Sequence, residues 1–90
     1  MGQGQYDIQI KPAAQKEINR IPPHNRVRIE TAIINLADNP RPHGAKKLQG
    51  AEDNTYRIRV GQYRVIYRIY DSELVVLVVK VADRKDIYRP

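Results

Sequence analysis

The chain has 90 residues, sixteen of them Lys or Arg against ten Asp or Glu, and no cysteine. That is the length of one domain, with disulfides and thiolate metal sites excluded. No apolar run approaches the roughly 20 residues needed to span a bilayer. Residues 1–6 are rich in Gly and Gln and do not read as a signal peptide, which fits a cytoplasmic location. A single domain over residues 1–90 is expected, with 1–4 flexible. Arg outnumbers Lys ten to six, and the guanidinium is the better fork for phosphate. Such an excess in a small domain points to a polyanion or an acidic protein as partner.

Tyr6, Ile8 and Ile10 alternate with Asp7 and Gln9, which predicts a short strand. Pro12 suits the first turn of a helix, and Ala14, Ile18 and Ile21 recur at helical spacing. Pro22-Pro23 ends that helix. A second helix is predicted over residues 24–38, with Ile29, Ile33, Leu36 and Ala37 on one face and Arg26 and Arg28 off it. Asn39 and Pro40 stop it. Residues 41–55 are mostly polar and contain Pro42, Gly44 and Gly50, so they read as a loop that carries Lys46 and Lys47. Residues 56–60 and 63–70 alternate as strands. Residues 74–81 are apolar except for Lys80, the pattern of a central strand buried on both faces. The order is strand, helix, helix, strand, strand, strand. The economical architecture is α+β, a mainly antiparallel sheet with the helical hairpin packed on one face.

Gly61-Gln62 lies between two alternating runs, and Gly at the first central position suits a two-residue hairpin loop of type II′. That loop sets Val60 opposite Tyr63, Arg59 opposite Arg64, Ile58 opposite Val65 and Arg57 opposite Ile66. Tyr56, Ile58, Val60, Tyr63, Val65, Tyr67 and Ile69 then form the core face, and Arg57, Arg59, Arg64 and Arg68 share the other. Like charges directly opposite destabilise a strand pair. At about 5 Å the repulsion between Arg59 and Arg64 is on the order of 1 kcal/mol even in the dielectric of water. An anionic ligand across the face would turn that cost into binding. A three-residue turn, Asp71-Ser72-Glu73, would pair Tyr70 with Leu74 and Arg64 with Lys80, keep Lys80 out of the core, and put Arg84 on the same side. The basic face would then hold Arg57, Arg59, Arg64, Arg68, Lys80 and Arg84 as a phosphate cradle without acidic partners.

His24 and His43 stand alone, no Gly-rich phosphate loop or zinc spacing occurs, and neither Ser72 nor Thr55 has a base beside it. Asp71, Asp83 and Asp86 do not make a metal site. The available chemistry is Arg, Lys and Tyr, which suits phosphoryl transfer governed by electrostatic stabilisation. No cofactor and no metal is expected. The attacking group would come from the substrate, as the 2′-hydroxyl does in RNA.

Three segments carry a family resemblance: Lys47-Leu48-Gln49-Gly50, then Tyr56-Arg57-Ile58-Arg59-Val60-Gly61-Gln62-Tyr63-Arg64-Val65-Ile66-Tyr67, then Val81-Ala82-Asp83-Arg84-Lys85-Asp86-Ile87-Tyr88-Arg89. In this order they resemble the RelE branch of the RelE/ParE toxin superfamily, over nearly the whole chain. The resemblance implies a toxin of a type II toxin–antitoxin system. It implies an endoribonuclease that cuts mRNA in the ribosomal A site, inhibits translation and is neutralised by a RelB-like antitoxin. It also implies catalytic roles for Arg59, Arg64, Arg84 and Tyr88, with Arg57 on RNA phosphate and Tyr88 stacked on a base. The basic face and the loop add Arg68, Lys80, Lys46 and Lys47 as expected phosphate contacts. Two departures stand out. Asp83 occupies a position that is His in many members, where it would pair with Arg84. Arg59 replaces a Lys and is a poor general base, because guanidinium stays protonated. Arg59 is therefore expected to stabilise transition-state charge, and the base is unassigned. A ParE-like gyrase inhibitor and a non-catalytic RNA-binding domain are the alternatives.

Overall fold

A computed structural model describes residues 5–83. The expectations for residues 1–4, Arg84 and Tyr88 lie outside the described residues. The elements in chain order are β1 (Asp7–Ile10), α1 (Pro12–Asn19), α2 (Pro23–Asn35), β2 (Lys46–Lys47), β3 (Thr55–Val60), β4 (Tyr63–Tyr70) and β5 (Val75–Asp83). The strands form one sheet in the order β1-β5-β4-β3-β2. β1 runs parallel to β5, and the other three pairings are antiparallel. The expected α+β architecture is thus observed.

Each helix begins on a proline, Pro12 or Pro23, where the missing N–H removes no helical bond. The Pro22-Pro23 pair forces the chain extended between them, which folds α1 and α2 back as a hairpin. Ala14, Ile18, Ile29, Ile33 and Leu36 meet Ile58, Tyr63, Val65, Tyr67, Ile69, Val76, Val78 and Val81 in one buried cluster. Each fully buried aliphatic side chain in it contributes about 1.5–3 kcal/mol. Tyr67 is the largest fully buried side chain. Its hydroxyl donates to the Pro40 carbonyl at 2.8 Å, its ring stacks on Tyr56, and burial pushes its phenol up to about 12.

The β3–β4 register is the one the two-residue loop predicts, from Val60 opposite Tyr63 to Arg57 opposite Ile66. Gly61 supplies the positive φ, +62°, that this turn requires.

Three expectations are corrected. Lys46 and Lys47 are not in a loop but form β2, a short edge strand on β3. The β4–β5 turn has four residues rather than three, ending on Leu74 at φ +54°, so Tyr70 pairs with Val75 and not Leu74. A four-residue turn reverses the alternation, turning Val76 and Val78 into the core. Continued unbroken, it would also bury Lys80. A β-bulge opposite Ile66 and Tyr67 takes up Val79 and reverses the alternation again. Val81 goes inward, Lys80 stays out opposite Ile66, and Ala82, not Lys80, faces Arg64. Lastly, β5 is not buried on both faces: Val76, Val78 and Val81 are buried, but Val75, Leu77 and Val79 are only partly covered.

Away from the hairpin tip, the far end of the sheet is tied by a polar cluster. Arg41 donates to both carboxylate oxygens of Asp71, at 3.3 and 2.9 Å, and through Nε to the Tyr56 hydroxyl at 3.3 Å. The Tyr6 hydroxyl donates to Asp71 at 2.6 Å. These donors hold the Asp71 carboxyl below its ordinary range, and the same contacts raise the Tyr6 phenol and the Arg41 guanidinium.

Candidate nucleic-acid interface

Both helices pack on one face of the sheet, and the opposite face is left uncovered by any described helix. Strand alternation decides which side chains it receives. β3 contributes Thr55, Arg57 and Arg59, and β4 contributes Arg64, Ile66, Arg68 and Tyr70. β2 adds Lys46, and the bulged end of β5 adds Lys80 and Ala82. Six of the sequence-predicted residues, Arg57, Arg59, Arg64, Arg68, Lys46 and Lys80, are therefore brought to one face.

The structure adds a second like-charge pair to the one the sequence suggested. Arg59 lies directly opposite Arg64, and Lys46 lies directly opposite Arg57. Two like-charge cross-strand pairs thus stand side by side at the β2–β3–β4 end. Arg59 is exposed, and Arg57, Arg64 and Arg68 are half-buried. Half-burial weakens screening of these charges by solvent. The second pair went unseen because a two-residue strand gives no alternation to detect.

Other parts of the expected cradle are placed differently. Lys47 pairs with Tyr56 and so belongs to the helix-side face. The expectation that the cradle lacks acidic partners is overturned at two positions. The Lys80 ammonium lies 3.3 Å from Glu17 of α1, and the Arg68 guanidinium lies 3.8 Å from Glu52. Glu17 also accepts the Val81 N–H at 2.8 Å, so one carboxylate anchors both the β5 edge and Lys80. It stands beside a cleft of about 340 Å³ between α1 and the end of β5. Tyr70, with Glu52, raises the Arg68 guanidinium further.

Asp83 receives a hydrogen bond from the Gln62 side chain at 2.7 Å, tying the hairpin turn to the end of β5. This contact between turn and strand was not foreseen, because it depends on the bulge. Arg84 and Tyr88 lie outside the described residues. His24 belongs to α2, and His43 lies in the segment before β2, so neither is in a strand of the sheet. Among the described residues no group of three or more His, Cys, Asp or Glu is placed to hold a metal ion, and no helix is long and apolar enough to cross a membrane. The face offers concentrated guanidinium charge on rigid strands, suited to gripping phosphate and to stabilising charge that builds on it.

Residues 8–88 match the family model described as the ParE toxin of type II toxin–antitoxin systems, parDE. The chain is 32% identical over 85 residues to toxin RelG of Mycobacterium tuberculosis, spanning 93% of this chain and 97% of that one. It is 27% identical over 86 residues to the mRNA interferase toxin RelE of Escherichia coli, spanning 92% and 90%. Its fold superposes on a chain of the archaeal RelE–RelB complex from Pyrococcus horikoshii with a TM-score of 0.79, at 28% identity over 89% of this chain and 96% of that chain.

Proposed function

The chain belongs to the ParE toxin family of type II toxin–antitoxin systems, and from that premise we propose that it is an endoribonuclease that cuts mRNA in the ribosomal A site. The observation that carries this reading is the pair of like-charge cross-strand contacts, Arg59–Arg64 and Lys46–Arg57, on the open face. Like charges directly opposite disfavour a strand pair, and a phosphate lying between the members of each pair would be attracted to both. Similarity to relatives named as mRNA interferases supports the same substrate.

In this mechanism the 2′-hydroxyl of the substrate attacks the adjacent phosphorus. The bond to the 5′-oxygen breaks, leaving a 2′,3′-cyclic phosphate and a 5′-hydroxyl. Arg59 and Arg64 stabilise the charge of the phosphorane. Arg57, with Lys46, holds a neighbouring phosphate, and Arg68 and Lys80 take outer positions that compete with Glu52 and Glu17. Lys47 is assigned to RNA outside the sheet face. Arg84 is assigned to the scissile phosphate and Tyr88 to stacking on a base, both on sequence alone. The reaction as written consumes no cofactor. The partner that silences it is a RelB-like antitoxin, as in the complexes of similar proteins, and the place of action is the cytoplasm.

The test replaces the single 2′-hydroxyl beside the cut with hydrogen, in mRNA programmed into ribosomes. Cleavage there is expected to vanish while binding is largely kept, because phosphate contacts supply most of the affinity. Efficient cutting of the deoxy site would show that water or a side chain attacks. The match to a family named for ParE keeps a second reading, a ParE-like inhibitor of DNA gyrase. Induction in cells separates the two: cleaved mRNA ends within translated regions support the nuclease, and gyrase-linked DNA damage without such ends supports the inhibitor.

A further inference from the structure

The β3–β4 hairpin tip has a bare surface at Gly61, whose φ of +62° is disfavoured for residues with side chains. An arginine of α2 lies against the edge of that surface. A Cβ placed on Gly61 would lie 3.4 Å from Nη1 of Arg28, 3.8 Å from Nη2 and 3.9 Å from Cζ. The guanidinium of an α2 residue therefore rests against the turn, although Arg28 itself is exposed. Arg28 has no hydrogen-bond or ion-pair partner among the described residues. Its neighbour Arg26 differs, donating to the Asn19 carbonyl.

Gly61 is two residues along β3 from Arg59, roughly 7 Å of strand, which is near the spacing of neighbouring phosphates in an extended single strand. Across the turn, Arg64 follows one residue after Tyr63, the partner of Val60. The acid near this turn, Asp83, is engaged by Gln62. Three arginines thus flank one tight turn, Arg59 and Arg64 by their strand positions on the open face and Arg28 by its guanidinium against Gly61 from the helix side.

We infer that Arg28 carries the phosphate track of the open face around the hairpin tip, so that an RNA backbone held at Arg59 and Arg64 continues across Gly61 onto α2. The inference rests on the nuclease reading and deepens it, assigning a phosphate contact to a residue outside the sheet. It makes Arg28 a substrate-binding residue and gives the strand a direction of exit over the bare glycine, where a side chain would stand in its way.

The probe is a single-stranded RNA oligonucleotide with every 2′-oxygen methylated, which cannot be cut by the proposed attack. Binding is followed by fluorescence anisotropy over a series of KCl concentrations. Arg28→Gln keeps a polar stem over Gly61 but removes the charge, Arg28→Lys keeps the charge, and Lys16→Gln removes a charge from the exposed side of α1. Arg28→Gln is expected to weaken binding several-fold at low salt and to lower the slope of log K against log salt by about 0.7, the value of one phosphate contact on a single strand. Arg28→Lys keeps the wild-type slope, and Lys16→Gln changes it little. A packing role alone would move the melting temperature and leave the slope untouched. A wild-type slope in Arg28→Gln overturns the inference alone, as does an equal loss in Lys16→Gln. Failure of the wild-type protein to bind the oligonucleotide overturns the inference alone, because the nuclease reading is decided separately by the deoxy-substituted mRNA on ribosomes.

Discussion

Strand β4 has two faces built to opposite rules. Tyr63, Val65, Tyr67 and Ile69 point into the core and are all buried. Arg64, Ile66, Arg68 and Tyr70 alternate with them on the open side and are all half-covered. The inward face gains from every contact it makes. The outward face accepts the repulsion of Arg59 against Arg64, which packing does not require and which one neutral residue would remove. Where a strand carries a cost that its fold does not need, the cost points to a ligand.

Substitutions on the two faces should therefore fail in different ways. The largest expected effect is on the inward face. Tyr67→Ala removes the ring stacked on Tyr56 and the bond to the Pro40 carbonyl, and should destabilise by about 3–5 kcal/mol, measured by urea unfolding. Tyr67→Phe is milder and sharpens the point. The folded-state phenol titrates near 12 instead of its ordinary 10, so its contribution is full below pH 10 and is lost as pH rises from 10 through 12. The Phe variant should lose less stability over that alkaline range than the wild type does. An identical alkaline decline in both would show that Tyr67 does not titrate with unfolding.

On the outward face the prediction reverses. Arg64→Ala should leave urea stability within about 0.5 kcal/mol of wild type and lower mRNA cleavage roughly 10²–10³-fold, the scale of losing one transition-state donor. Full growth arrest by a well-folded Arg64→Ala protein would break the contrast. Arg59→Thr tests the repulsion directly. It should raise stability by up to about 1 kcal/mol while cleavage falls. A variant both less active and less stable would mean that the pair is held together by something other than a missing anion.

The smallest effect belongs to the polar cluster at the far end of the sheet. Arg41 and Tyr6 hold the Asp71 carboxyl below its ordinary value, so its contribution is present above the unfolded pKa of about 3.9 and is lost as pH falls through the folded value. Asp71→Asn should lower the urea midpoint slightly at pH 7, and the gap to wild type should close as the pH drops below 4. A gap that stayed constant would assign the effect to shape and not to charge.

The sequence carried most of the fold because its main elements announce themselves. Pro12 and Pro23 start helices, Gly61-Gln62 fixes a hairpin, and strict alternation in β3 and β4 separates core from charge. What it hid has physical causes. β2 is two residues long, too short for any period. In β5 the run Val75-Val76-Leu77-Val78-Val79 is uniformly apolar, and Leu74 before it is too, so nothing marks which residues turn inward, and the bulge at Val79 could not be read. The expectation that Lys80 stays out of the core was met by a different route, through a longer turn followed by a bulge. The basic face was legible as Arg57, Arg59, Arg64 and Arg68, while Glu17 and Glu52 were not, because their contacts span 63 and 16 residues respectively, an interval no local pattern reports.

The carboxylate of Glu17 has a consequence for how the molecule breathes. β1 ends at Ile10 opposite Val78, so beyond that point one edge of β5 has no neighbouring strand in the β1 direction among the described residues. The amide of Val81 would exchange freely with solvent there, but it is sealed by a side chain from α1 instead of by backbone. Its hydrogen exchange should therefore follow the docking of α1 rather than the opening of the sheet. Slow exchange at Val81 that becomes fast in Glu17→Ala, with Val65 and Tyr67 still protected, would make this one amide a local gauge of helix attachment in an otherwise closed fold.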